Sequence, residues 1–345
     1  MKSRTAQLIT GLVAVAVAAT TASLLTGTEP AGSPARHAPE GREPVAEVAF
    51  TPYVDASRST AYDMADAARR TGADGFTLGF VTARGDCAPT WDGRDGIAHG
   101  DLAGRIAALR AAGRDVRVSF GGADGTELAG ACDDVDELAS AYADVIGRYR
   151  LTGVDFDVEG DDLVDTAAGT RRARAVARLQ REAEREGRTL SVSFTLPVMP
   201  SGLTPEACAL LADARRQGVR VDAVNIMAMD YGETYTGDMG RYAIQAATAA
   251  QRQLKALLGL PDAAAWRTLS VTPMIGVNDI QGEVFTLRDA AALAAFAREK
   301  GLGGLSMWSA DRDRPCEDDT KGTAPARCSG VDQPSLAFAR ALADA

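Results

Sequence analysis

Short apolar runs alternate with stretches in which apolar residues recur every three or four positions, and the alternation holds from Val45 almost to the last residue. The short runs read as strands at 46–53, 75–81, 115–120 and 152–159 in the first half of the chain. The second half adds 189–196, 221–229, 268–275 and 303–309. Between them the spacing predicts helices: Leu102, Ile106 and Leu109 share one helical face, and 138–149 and 290–300 repeat the pattern. Gly72, Gly113, Gly187, Gly218 and Gly301 each stand shortly before a strand, where a left-handed residue closes a helix. Eight strands, each followed by a helix, over roughly 300 residues match a closed α/β architecture, the (β/α)8 TIM barrel. The expectation is a single barrel domain over 45–345. An open doubly wound sheet is the competing arrangement, and no GxGxxG loop supports it.

The segment before the barrel has a different composition. Lys2 and Arg4 precede an apolar run from Leu8 to Ala19, which weakly polar Thr and Ser extend to Leu25. This order predicts a secretory signal peptide over 1–26, with a membrane anchor over 8–25 as the alternative. The middle of the run is mostly Ala and Val, which makes a weak span. Residues 27–44 carry Pro30, Pro34, Pro39 and Pro44 among Gly, Ser and charges and read as a disordered linker. Export makes disulfides expected among the five cysteines. Of the several pairings possible, Cys87–Cys132 and Cys316–Cys328 are favoured by loop placement, with Cys208 left as a free thiol within a helix.

A formal net charge of −10 provides no basic field for nucleic acid or an anionic membrane. A neutral, polar partner such as a sugar is indifferent to it. The chain has two histidines, His37 and His99, which argues against histidine-based zinc sites and Ser-His-Asp triads. No metal or organic cofactor is expected, nor an integral membrane partner, and the barrel is expected to act as a monomer.

The fourth predicted strand carries the chemistry. It runs Thr152, Gly153, Val154, Asp155, Phe156, Asp157, Val158, Glu159. Residues two apart on a strand share a face and stand ~7 Å apart. Asp155, Asp157 and Glu159 therefore point one way, while Val154, Phe156 and Val158 point the other. Parallel barrel strands have no solvent face, so the acids must enter the barrel top and the apolar set must meet the helices. Three carboxyls in a buried row raise one another's pKa through desolvation and like charge.

This row resembles the DGxDxDxE motif of glycoside hydrolase family 18, the chitinases and endo-N-acetylglucosaminidases. Ser119, Phe120, Gly121 and Gly122 on the third strand are similar to that family's SxGG motif. The resemblance implies that Glu159 is the proton donor, that Asp157 orients the substrate's N-acetyl group, and that Asp155 shares a proton with Asp157. Ser119, Gly121 and Gly122 would belong to the substrate-binding surface. Trp308, at the end of the eighth strand, would form the floor under the sugar being cleaved, its flat ring suited to pyranose C–H groups. Trp91 and Tyr53 either face the cleft or simply pack, and Trp266 reads as structural.

The chain also departs from the family pattern. Thr152 replaces its first Asp, and Val158 stands where many members have Trp. On the sixth strand the family often has Met-x-Tyr-Asp, and this chain has Met227, Ala228, Met229, Asp230, then Tyr231. Either Tyr231 reaches back to replace the missing hydroxyl, or Asp279 after strand seven takes part of that role. Met227, Asp230, Tyr231 and Asp279 are accordingly expected at the site. A subgroup that includes archaeal members resembles this chain in both variants.

The resemblance implies a substrate-assisted retaining mechanism, in which the 2-acetamido oxygen replaces a carboxylate nucleophile. The expected substrate is chitin or N-acetylglucosamine oligosaccharides. Two alternatives stand beside it: an endo-β-N-acetylglucosaminidase acting on N-glycans, and a catalytically weak, lectin-like barrel. Members that have lost activity usually lack the terminal acid, and Glu159 is present.

Overall fold

The computed structural model describes residues 47–57, 62–98, 100–317 and 324–345. The leader and linker expected over 1–26 and 27–44 lie outside them. Strand one comes in two pieces, Ala49–Phe50 and Tyr53–Asp55. Strands two to four are Gly75–Ala83, Asp115–Gly121 and Gly153–Asp157. Strands five to eight are Ser191–Met199, Ala223–Met227, Leu269–Thr272 and Gly304–Leu305. Each pairs in parallel with its neighbours in chain order. Strand eight then pairs with strand one through Ala49↔Gly304 and Phe50↔Leu305, closing the sheet into a barrel.

Two strands differ from their apolar runs. Strand one breaks at Pro52, which has no N–H to give strand two. The ladder resumes at once, with Thr77 N–H donating to Pro52 O at 3.0 Å and Tyr53 N–H to Met307 O at 3.1 Å. Strand eight is two residues long rather than the full 303–309, and a bridge between Met274 and Trp308 carries pairing up to the rim.

The helices follow from the sequence pattern. Leu102, Ile106 and Leu109 form the buried face of helix Leu102–Ala111. Leu138, Tyr142, Val145 and Tyr149 do the same for Val135–Tyr149. Helix Pro205–Arg216 starts on a Thr204 cap followed by Pro, and Leu287–Lys300 on a capping box of Thr286 and Asp289. All five helix-ending glycines are left-handed, with φ between 66° and 90°.

Outside strands three to five, Phe120, Phe156 and Phe194 form a continuous row, with ring centroids 5.4 and 5.7 Å apart. Tyr142 closes on the first two edge-on, so the outward residues of these strands seal the layer between barrel and helices.

Cys87 is joined to Cys132 and Cys316 to Cys328, while Cys208 on helix Pro205–Arg216 is a free thiol, as expected from loop placement. Beyond strand seven comes a small antiparallel hairpin, Gly276–Val277 with Val284–Phe285. Among the described residues no helix is long and apolar enough to cross a membrane.

Candidate active site

The inward face of the barrel is polar at mid-height. Register sets Ser119 beside Asp155 and Asp155 beside Ser193, with Asp157 beside Thr195 one level higher. Asp155 is 2% exposed and is surrounded by hydroxyls. It accepts from Tyr53 at 2.9 Å, Ser119 at 2.7 Å and Thr195 at 3.0 Å, and from Ser193. The chain of bonds continues sideways: Asn225 donates to Thr195 at 3.1 Å, and Thr272 to Asn225 at 2.8 Å. Five strands thus fix one buried carboxyl whose hydrogen-bonding capacity is met.

Asp157 and Glu159 stand above it. Strand four formally ends at Asp157, but Glu159 keeps extended backbone (φ −143°, ψ 176°), so the two-residue alternation carries on into the cleft. Burial pushes the Asp157 carboxyl well above its ordinary value, with Glu159 and Asp155 adding like-charge repulsion. Asp157 and Glu159 share a hydrogen bond that raises the former and lowers the latter. Asp157 thus meets Glu159 above it, while Asp155 below is held by its four hydroxyls. Asp157 Oδ1 is buried and accepts no hydrogen bond from the hydroxyl and amide donors around it. Glu159 is raised to about 7, by burial first and then by Asp230 and Asp124.

These two carboxyls line a cleft of about 500 Å³ at the C-terminal end of the barrel. Met227, Met229, Asp230, Asp279 and Trp308 line it as well. Trp308 stacks on Phe80 at 5.4 Å and meets Tyr53 edge-on at 6.0 Å, which makes an aromatic floor beside the acids. Tyr53 lines the cleft, whereas Trp91 is buried and donates to the Tyr149 hydroxyl at 3.0 Å. Trp266 packs edge-on against Phe296.

Four of the expected binding residues are not at the cleft surface. Ser119 is fully buried behind it and serves Asp155. Gly121 and Gly122 are left-handed (φ 102° and 91°), and what they contribute is the space where a side chain would be. A Cβ on Gly121 would lie 2.1 Å from the Asp157 carbonyl oxygen, and one on Gly122 2.7 Å from the Phe80 ring. The pair lets strand three close on strand four and seats the aromatic floor. Tyr231 is the fourth. It packs against Tyr235 and Tyr242 and is not among the cleft-lining residues, and Met229 takes the place facing the site. The reason is Asp230, whose left-handed backbone (φ 51°) ends the strand alternation just before Tyr231.

Sequence reasoning missed several contributors. Ser193 and Thr195 occupy alternate positions on strand five opposite Val192, Phe194 and Leu196, the same two-residue signal that revealed strand four. Arg312 carried no such signal. It is 2% exposed, lines the cleft, and donates to Val277 O at 2.8 Å, Trp308 O at 3.4 Å and Pro325 O at 2.9 Å. It therefore ties the strand-seven hairpin, the aromatic floor and the Cys316–Cys328 loop together. Ala324, Pro325 and Ala326 of that loop form one wall.

No protein-family model matches the chain. It is 38% identical to a probable bifunctional chitinase/lysozyme of Escherichia coli (strain K12) over 277 residues, 77% of this chain and 31% of that protein. It is 37% identical to Endochitinase 11 of Metarhizium anisopliae over 275 residues, 77% of this chain and 52% of that one. The chain thus spans about a third to about a half of the length of these curated relatives. Among solved structures, the catalytic domain of a hyperthermophilic chitinase from Pyrococcus furiosus superposes with a TM-score of 0.76 at 34% identity. That match covers 87% of this chain and 95% of the other. With its acidic row at the mouth of the barrel and these relatives, the chain belongs to glycoside hydrolase family 18, the family of the chitinases.

Proposed function

We propose that this protein is a secreted, monomeric chitinase that hydrolyses β-1,4 linkages between N-acetylglucosamine units with retention, the substrate's own acetamido group acting as nucleophile. One observation carries the reading: the Asp157 carboxyl and a Glu159 raised to about 7 stand hydrogen-bonded to each other in the lining of one aromatic-floored cleft. The Asp157 carboxyl is an acceptor for the N–H of a 2-acetamido group. Holding that group turns its carbonyl oxygen towards C1. As the C1–O bond breaks, Glu159 gives its proton to the leaving oxygen and the acetamido oxygen bonds to C1, forming an oxazolinium ion. Asp157 stabilises the positive charge that develops there. Glu159, now ionised, takes a proton from water, which opens the ring and restores the acid. Asp155 anchors the row from below through its hydroxyl shell. The relatives named chitinases support the polymer. Two disulfides among the described residues support export from a reducing compartment.

An NMR time course of the first anomer formed, together with cleavage-site mapping on partially acetylated chitosan, tests the mechanism. Initial β-anomer and no cleavage after a de-N-acetylated unit are expected. Initial α-anomer, or efficient cleavage after glucosamine, would remove substrate assistance.

A further inference from the structure

Two loops at the cleft rim hold each other by exchanging amide hydrogen bonds. The chain leaving strand six turns at Asp230 (φ 51°) and Gly232 (φ 111°). The Gly232 N–H then donates to Glu283 Oε1 at 2.9 Å, and the amides of Asp230 and Tyr231 also act on that carboxyl. Glu283 closes the loop of the strand-seven hairpin, just before its second strand, and is 1% exposed. In return, the hairpin tip gives the Ile280 N–H to Asp230 Oδ1 at 3.2 Å, and the Asp279 amide adds to it. Asp230 and Asp279 line the cleft, and Glu283 does not.

We propose that Glu283 is a positioning residue of the active site: by fixing the turn at Asp230 it holds the Asp230 carboxyl where it faces Glu159, and so sets the pH range of the acid step. This rests on Glu159 being the general acid. The charged and titratable groups around the pair are few. Glu159 faces Asp157, Asp230 and Asp124. Asp230 faces Asp279 and Glu283, with Arg312 opposing them. Glu283 faces Asp230 and the Tyr231 hydroxyl, which also meets Tyr235. Burial raises the Asp230 carboxyl, and the amides that the hairpin gives it work against that rise and favour the ionised form, which is the form that repels a second negative charge on Glu159. Without Glu283 the turn loses the acceptor for its amides, Asp230 leaves its own donors, and the repulsion on Glu159 falls. A buried glutamate with no contact to the cleft thereby acts on the proton at Glu159 through one intermediate carboxyl.

The test uses the full chain on a chromogenic chitobioside, with pH profiles of kcat and kcat/KM for wild type, Glu283→Ala, Glu283→Gln, Asp230→Asn and the Glu283→Ala/Asp230→Asn double variant. Glu283→Ala should move the alkaline limb down by about half a pH unit or more, the effect of one carboxylate across a partly solvated cleft. Glu283→Gln keeps an acceptor for the Gly232 amide and should restore most of the limb. Asp230→Asn should shift it the same way, and the double variant should shift it no further. A lower melting temperature with an unmoved limb, or additive shifts, overturns the proposal. If Glu283→Ala does not accumulate, Glu283→Asp decides, because its shorter side chain must drag the turn and move the limb in the same direction. A limb moved by Asp230→Asn but by no Glu283 variant sinks this proposal alone. Persistence of the limb in Glu159→Gln sinks the assignment of Glu159 instead.

Discussion

At the scale of single residues, the proposed chemistry depends on keeping one carboxyl protonated near neutrality. Glu159 reaches about 7 because it is buried and because Asp230 and Asp124 face it. Replacing it with Gln should lower turnover at least ~100-fold, the low end of general-acid contributions, with oligosaccharide binding still measurable by calorimetry. The same shift has a thermodynamic side. A carboxyl whose value is higher in the folded state holds its proton more tightly there, so stability falls as pH rises from the ordinary glutamate value of 4.5 towards 7. The Glu159→Gln protein should therefore melt a few degrees above wild type at pH 8 and together with it at pH 4; equal melting curves at both would contradict the shift. The acidic row was legible in the sequence because alternation on a buried strand leaves its side chains one place to go. The hydroxyl shell of Asp155 was equally present in Ser193 and Thr195. Arg312 and Glu283 were not legible, since a single 3-10 turn and a hairpin loop place them, and neither is long enough to carry a periodicity.

At the scale of elements, the eight strands and their helices followed from periodicity, and what did not follow lies at strand ends. Tyr231 is the instructive case. Counting by twos from Met227 puts it on the cleft face, and a single left-handed residue at Asp230 sends it elsewhere. Gly121 shows the opposite, an element contact visible as a residue type but not as a reason. A Cβ there would press on the Asp157 backbone oxygen at 2.1 Å, so strands three and four would have to part. Gly121→Ala should lower the melting temperature and cut kcat more than it raises KM, because it moves the acidic row without touching the cleft wall. A variant that binds poorly but turns over normally would contradict this.

At the scale of the molecule, the cleft is built from parts far apart in sequence, and one wall hangs on a covalent link. Ala324–Ala326 sit inside the loop closed by Cys316 and Cys328. Replacing both cysteines with Ser should raise KM for chitin oligomers several-fold and change kcat little, while unreduced peptide mapping of the wild type should recover both bridges and a free Cys208. Loss of kcat with KM intact would mean that the loop serves the chemistry instead of the grip. The closing seam of the barrel has a consequence in time. Ala49–Phe50 pairs with Gly304–Leu305, so the first strand waits unpaired on one side until the eighth has been synthesised. Contacts that span most of a chain are paid for in loop entropy before they return anything. The barrel is thus among the last things this polypeptide completes, and a ribosome still holding strand eight holds an open sheet with two unpaired edges.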